Sequence, residues 1–504
     1  MIALTVYIRT LAPTITWRND GADSGDFAAA VAVGGVPHPS GYPTYLLLAR
    51  VFTQLPVGDV AYRLNLLSAG CAALAIIGVG LVIYHTLHTT LPHPASLGAN
   101  ASQQRLLAAC AVAASLVFAF SDIFWSQAVI TEVYTLNTFF AVVLLLATLH
   151  LNVSNQRWLV PAIFFIAGLS LGNHLSIVLF LPGLLWLFKA GWHWKLAINA
   201  GLAFFVGLSA YLIIPLRAAA VPPVNWAGAA NLPDLIWLVS AAPYRHFVFA
   251  LPWAFVPARI AAEGLLVTTA FLGWGVPVGL IGLWTMLHRD RRLAAGSITS
   301  FLLLSVYAIG YNTTDSYVYL LPALRLFSGW IGWGLFFGSR WLLTNLKMPP
   351  WLSNRVWLAL LLLPLMSLSI NFADQDISRD REALTYATEN LQQVQPDALI
   401  IADNDPHTFA LWYGLYGLKL RPDTAVIHID LLEYAWYQAT LRENYPYLQF
   451  SDEKGTPITS LTDVIQRNIH RSSLYLATLD SPPSLDGYQL EPAGDLYRVV
   501  PNSQ

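Results

Sequence analysis

Ten long apolar runs punctuate the first three-quarters of this chain, near 64–85, 105–120, 134–152, 158–172, 174–188, 196–215, 263–287, 294–311, 317–339 and 355–371. A helix needs about 20 apolar residues to cross about 30 Å of hydrocarbon. A chain patterned this way is a polytopic α-helical membrane protein, because only a helix or a closed barrel satisfies its backbone in lipid. An eleventh run, residues 1–17, is short and contains Arg9. The expectation is that the recorded start is late and that the natural first helix is longer, which gives about 11 spans. No small-x-small cleavage site follows this run, so a removed signal peptide is not expected.

Composition agrees: 56% of the 504 residues are apolar and only 11% charged, against about 25% charged in soluble domains. Charge is unevenly divided. Residues 1–372 carry 18 Lys and Arg against 10 Asp and Glu, whereas residues 373–504 carry 9 against 19. The expected domains are therefore a membrane unit over 1–372 and an acidic soluble unit over 373–504. Neither has a basic patch suited to nucleic acid. The two cysteines, Cys71 and Cys110, lie in apolar runs and supply neither a disulfide framework nor a zinc site.

With the N-terminus placed in the cytoplasm, the inner loops collect Arg105, Arg157, Lys189, Lys195, Arg289, Arg291, Arg292, Arg340, Lys347 and Arg355, with Asp290 their one acid. Positive residues favour the inner side. An odd number of spans then puts the tail outside the cytoplasm. In that tail, helical patterns at 379–394, 407–418 and 431–441 alternate with strand patterns at 398–402, 425–429 and 474–478. Such alternation predicts a small α/β layer with a parallel sheet. No glycine-rich phosphate loop follows any of these strands.

The densest chemistry lies in the first outer loop, where Asp20, Asp23 and Asp26 precede Val36-Pro-His-Pro-Ser-Gly-Tyr-Pro43. Three prolines and a glycine around His38 and Tyr42 forbid a membrane helix and suit a rigid loop that positions side chains. Carboxylates at a bilayer edge mark either a solvated loop or a site.

The order Asp23-Ser-Gly-Asp26, His38-Pro-Ser-Gly-Tyr-Pro43 and Arg63-Leu-Asn65 resembles a family of polytopic proteins long labelled as a domain of unknown function. That family is similar to protein O-mannosyltransferases of the GT-C class. Weaker landmarks agree: Thr131-Glu-Val-Tyr-Thr-Leu136, Gly172-Asn-His174, Pro215-Leu-Arg217, Asn225-Trp226, Leu411-Trp-Tyr413 and Arg421-Pro-Asp423. The chain departs from the pattern with Asp26 where Glu is frequent and Ser40 where Pro is common.

The resemblance implies a GT-C-like membrane glycosyltransferase that moves a sugar, with mannose the family's suggestion, from a polyprenyl phosphate to an acceptor outside the cytoplasm. A protein Ser/Thr hydroxyl is the expected acceptor, ahead of a glycan. Asp23 takes the role of catalytic base and Glu132 that of a second acid, with Asp26 orienting Asp23. A hydroxyl attacks well only when a carboxylate within about 3 Å takes its proton. Arg217 is expected on the donor phosphate, since arginine binds phosphate bidentately, and His38, Tyr42 and His174 are expected to position the donor.

Each residue also has a plainer reading: a helix-start acid for Glu132, a cap for Asp26, a turn histidine for His38, a carbonyl-bonded ring for His174, a snorkelling side chain for Arg217. Asp315 is either a rim contact or a solvated turn. No cofactor or metal ligand set is assigned, the lipid-linked sugar being a substrate, and the sequence does not fix a divalent-metal requirement. A transporter or flippase of lipid-linked sugars is the alternative. Transporters place polar sites near the midplane and often carry internal repeats, whereas here the acids gather at one face and no repeat stands out.

Overall fold

The computed structural model describes residues 1–91, 97–154, 156–189, 191, 193–345, 355–451, 458–478 and 483–502; Lys347 lies outside them. Among the described residues, seven helices are long and apolar enough to cross a membrane: Val60–Thr90, Ala101–Ala119, Tyr134–Ser154, Trp194–Ala218, Arg291–Gly310, Ser316–Asn345 and Val356–Gln375. This is a multi-pass helical membrane protein.

Several expected spans take a different form. The run near 263–287 is not one straight helix: Trp253–Ala270 and Gly275–Arg289 meet at 96°. At the break Leu272 and Gly273 have φ of 54° and 71°, a left-handed conformation that a right-handed helix cannot continue. The adjoining runs at 158–172 and 174–188 form short apolar helices, Leu159–Leu171 and Leu175–Leu185. At about 1.5 Å per residue, neither reaches across the hydrocarbon alone. The first run yields only the nine-residue helix Ile2–Thr10. A further short apolar helix, Pro43–Phe52, starts at the proline that ends the His38 loop.

Membrane helices gain little from hiding apolar surface from lipid, so close backbone approach matters. Glycines supply it here. A methyl group on Gly168 would strike the carbonyl of Phe204, and one on Gly207 that of Phe165. Gly282 and Gly334 interlock helices Gly275–Arg289 and Leu321–Asn345 in the same manner. The outer surfaces remain apolar, with Leu202, Phe205, Leu302, Val306, Leu362 and Leu365 exposed, as lipid contact requires.

The tail folds as an α/β layer on a five-stranded sheet. We number its strands β1 (Leu399–Ala402), β2 (Ala425–His428), β3 (Leu474–Ala477), β4 (Tyr488–Ala493) and β5 (Leu496–Pro501). Their order is β2-β1-β3-β5-β4; β1 pairs parallel with β2 and β3, and β5 pairs antiparallel with β3 and β4. The three expected strands are therefore the parallel core, each with all four residues buried. Helix Glu382–Gln393 lies where the pattern at 379–394 puts it. The other two helices are interrupted: Asp405–Trp412 runs on into a π-turn at Tyr413–Gly417, and a 3-10 turn precedes Ala435–Asn444.

The tail packs onto the loop side of the bundle. Helix Asp405–Trp412 crosses helix Asp23–Val33, and a methyl group on Gly25 would collide with the Phe409 carbonyl. The glycine of the Asp-Ser-Gly-Asp motif thus permits the contact that brings the tail to the acidic loop.

Candidate active site

Helix Asp23–Val33 begins at the first motif acid, so Asp23 and Asp26 both sit in its first turn, where the helix dipole favours negative charge. Four residues beyond its left-handed C-cap, Gly34, the chain reaches the His38 loop. That loop is a tight turn, with Gly41 N–H donating to the His38 carbonyl at 2.9 Å and Gly41 at φ 81°. It is clamped from outside by the large loop: Val36 N–H donates to Val224 O at 3.0 Å, and Trp226 N–H to Val36 O at 3.1 Å.

These contacts build a relay of buried polar groups. Asp26, fully buried, accepts at Oδ2 from the His38 backbone N–H (2.9 Å) and contacts His38 Nδ1 (2.8 Å), while its Oδ1 accepts from Trp226 Nε1–H (3.2 Å). On the far side of the ring, His38 Nε2 lies 3.5 Å from Asp23 Oδ2 and 3.1 Å from the Tyr42 hydroxyl. Asp23 lies well inside the molecule yet keeps 41% of its side chain open to a cavity.

Burial pushes the Asp23 carboxyl up to about 6; His38 pulls against this, and Asp405, Asp26 and Asp315 add to it. For His38, burial acts downward, but Asp23 and the hydrogen bond the ring donates to Asp26 outweigh it and raise the ring to about 9. An imidazolium flanked by two carboxylates at neutral pH follows, with Asp23 the one partner that faces open space.

The cavity, ≈ 260 Å³, is walled by Asp23, His38, Tyr42, His174, Asp315 and Asp405 together with Tyr134, Tyr244, Tyr307, Tyr311 and Tyr319. Carboxylates amid aromatic faces present both hydrogen-bond acceptors and apolar platforms, a lining suited to a polyhydroxylated ring. Among the described lining residues there is no Lys or Arg. His174 sits at the wall with Nδ1 2.8 Å from the Ser176 hydroxyl. Asp315, one of the two readings open from sequence, is on the wall.

Asp405 was invisible as a site residue in the sequence. It comes from the tail, at the start of helix Asp405–Trp412, which Asn404 caps by accepting from His407 N–H at 2.9 Å. His428 Nε2 holds it from behind at 3.3 Å. The tyrosines were also missed; the available signal was the i, i+4 spacing of Tyr307 and Tyr311, which puts both on one helix face.

Besides Asp26, which sits behind the His38 ring, two expected residues stand off the cavity. Glu132 is buried behind it, pinned through its backbone to Ser68 (3.1 and 3.2 Å), with Oε2 accepting from Val133 N–H at 3.2 Å. Burial pushes its carboxyl well up, Asp23 adds to this and His38 opposes it, so it is joined to the pair by charge and not by the cavity wall. Arg217 donates from Nη1 to the Gly35 carbonyl at 3.1 Å and lines no part of the cavity.

A different arginine borders the site. Arg259 donates from Nη1 to the Ser316 hydroxyl and from Nη2 to the Thr313 carbonyl, both at 2.7 Å. It thereby braces the loop that carries Asp315. Behind that loop is a second cleft, ≈ 450 Å³, lined by Arg259 and Glu263 above apolar Ala262, Leu266, Ala308, Ile309 and Leu320.

The chain resembles known proteins in sequence and in fold. Residues 23–198 match the model of the protein O-mannosyl-transferase TMEM260 N-terminal domain, and residues 383–453 match TMEM260-associated domain 2. The chain is 25% identical to the protein O-mannosyl-transferase TMEM260 of Mus musculus, over 87% of this chain and 63% of that one. It is 21% identical to the Dictyostelium discoideum protein of that name, over 94% and 62%. The chain thus spans under two thirds of the length of these relatives. In fold it is similar to ArnT from Cupriavidus metallidurans solved with undecaprenyl phosphate (TM-score 0.58, 13% identity, 99% of this chain and 96% of that one). The apo form of that protein gives a TM-score of 0.53 at 14% identity, with the same coverage. The chain is thus similar to the TMEM260 proteins over these segments and shares the fold of ArnT.

Proposed function

From that relationship, we propose that this chain is an integral membrane glycosyltransferase that moves a sugar from a polyprenyl-phosphate carrier to a hydroxyl group of an extracytoplasmic protein. The observation that carries the reading is the Asp23 carboxylate, held by the His38–Asp26 relay and exposed to a cavity of tyrosines and acids. The ArnT structure with undecaprenyl phosphate supports a carrier of that lipid class, and the TMEM260 names support mannose and a protein acceptor.

In the reaction the acceptor oxygen attacks the anomeric carbon and its proton passes to Asp23. The bond from that carbon to the phosphate oxygen breaks, and its electron pair leaves on the phosphate. One displacement inverts the anomeric centre. A base with a pKa near working pH serves such a transfer best, and the upward push on Asp23 brings it there.

The leaving phosphate needs a cation beyond the His38 ring that Asp23 and Asp26 already engage, and no Lys or Arg is among the described residues that line the sugar cavity. We assign this role to Arg259 in place of Arg217. Arg259 stands between the cavity loop and a cleft with an apolar floor, so a phosphate there leaves its tail in the cleft and its sugar beside Asp23. Asp26 and His38 position the base, Tyr42 and His174 contact the sugar, and Glu132 stands behind them as a buried acid. The loop side of the bundle and the tail face the extracytoplasmic space in this reading.

The test is transfer by purified protein in nanodiscs, with a radiolabelled polyprenyl-phosphate mannose and a Ser/Thr peptide. Product formation that disappears in Asp23→Asn, with the anomer inverted by NMR, supports the proposal. Full transfer by folded Asp23→Asn sinks the base assignment.

A further inference from the structure

A second large cavity, ≈ 670 Å³, opens where the tail meets the first outer loop. Its carboxylates are Glu382, Glu389 and Asp495, its rings are Trp17, Tyr386, His407 and Tyr497, and no Lys or Arg is among its described lining residues. The acids are exposed at the rim. The rings form a packed floor: Tyr386 stacks on His407 with centroids 4.4 Å apart at 16°, and Trp17 lies tilted over both at 5.3 and 5.7 Å.

One polar atom in this floor has no protein partner. The hydroxyl of Tyr386 is buried and unpaired, on a residue 7% exposed. A buried hydroxyl without a hydrogen bond is costly, and the tyrosine that carries it presents its ring to the cavity. Burial pushes His407 down, against the weaker pulls of Asp403 and Asp495, so its ring adds no positive charge to offset the rim.

The cavity is tied to the catalytic one through three consecutive residues. Asp405 lines the sugar cavity, the Pro406 carbonyl accepts from Trp17 Nε1–H at 3.1 Å, and His407 lines the second cavity. Residues two apart in a helix are separated by about 5–6 Å. The two cavities therefore flank the same helix start, one on the Asp405 side and one on the His407 side.

We propose that this cavity docks the acceptor polypeptide and selects segments with lysine or arginine near the hydroxyl residue that is modified. The inference rests on the transferase reading and specifies its substrate class. Carboxylates at the rim attract such cations, and the Trp17, Tyr386 and Tyr497 faces hold them by cation–π contact.

The experiment uses the full chain in nanodiscs and fluorescein-labelled decapeptides containing Ser and Thr, flanked by Arg, by Gln or by Glu. Binding is read by anisotropy and, separately, transfer by KM and kcat. The Arg-flanked peptide should bind about tenfold tighter than the Gln-flanked one at low salt, a preference lost in Glu389→Gln/Asp495→Asn. Asp23→Asn should keep it, because Asp23 lies in the other cavity. The double variant should raise KM for the Arg-flanked peptide at unchanged kcat and leave the Gln-flanked peptide alone. Equal binding of all three peptides, or a preference unaffected by the double variant, overturns the inference. A neutral oligosaccharide that displaces the Arg-flanked peptide in wild type but not in the double variant also overturns it, in favour of a glycan site. Selective binding without transfer by any peptide leaves docking standing and removes the transferase reading, so the two failures are distinct.

Discussion

His38 Nε2 stands 3.5 Å from the Asp23 carboxylate, a contact that favours the ionised form of the proposed base. Were the ring neutral, burial would leave that acid with less to oppose its protonation. Asp23→Asn keeps size and shape but accepts no proton. Transfer should fall by about 10²–10⁴-fold with an unchanged melting temperature, measured by initial rates and nano-calorimetry on the same preparation.

The rate should follow a bell in pH. Below about 6 Asp23 takes up a proton and transfer declines; above about 9 His38 loses its own and the ion pair is lost. The limbs belong to the coupled pair and not to either residue alone. A kcat/KM profile from pH 5 to 10 reads both, and a rate flat across pH 5–7 contradicts the assignment.

Asp26→Asn removes the charge on the far side of the ring while preserving an acceptor for the His38 backbone. Asp26 raises His38, so the alkaline limb should move to lower pH. The acid limb should move less, because His38 at low pH remains charged. A KM change with both limbs fixed would indicate a merely structural Asp26.

Gly25→Ala should loosen the tail. The added methyl meets the Phe409 carbonyl, backbone that cannot swing aside as a side chain would, and such overpacking costs about 1–3 kcal/mol. Limited proteolysis should cut near Gln375, where the last apolar helix ends, faster than in wild type.

Arg259→Ala should raise KM for the lipid-linked donor about tenfold or more, as loss of a charge-assisted contact predicts. Arg217→Ala, whose side chain reaches Gly35 instead, should change it far less. Donor titrations at saturating peptide separate the two.

Much of the architecture was legible because lipid leaves the chain few options. Apolar length alone marks Val60–Thr90 or Arg291–Gly310, and four-residue apolar runs mark the strands that became β1, β2 and β3. The break at Leu272 and Gly273 was not legible, since leucine beside glycine reads equally as continuous membrane helix. The β4–β5 hairpin was passed over although Gly494-Asp495 joins two alternating runs in a two-residue turn, Gly494 at φ 62°; Pro492 obscured the first run, and proline is tolerated there because β4 is an edge. In the site, the Asp23–Asp26–His38–Tyr42 group was readable, as its members are close in sequence and rigidly spaced. Asp405 was not, because nothing local in Asn404-Asp405-Pro406 distinguishes a helix start from a catalytic wall. Arg217 drew attention by its position at a helix end, whereas only the fold shows that Arg259 braces the loop carrying Asp315.

The cleft beside Arg259 is walled by the first limb of the 96° bend, Trp253–Ala270, with apolar Ala262, Leu266, Ala308, Ile309 and Leu320 on its floor. A carrier that reaches it by lateral diffusion would never leave the plane of the lipid. Its encounter rate would then scale with surface density, in molecules per unit area of bilayer, and not with bulk molarity: diluting the vesicles should leave turnover untouched, whereas swelling each vesicle with inert lipid should slow it.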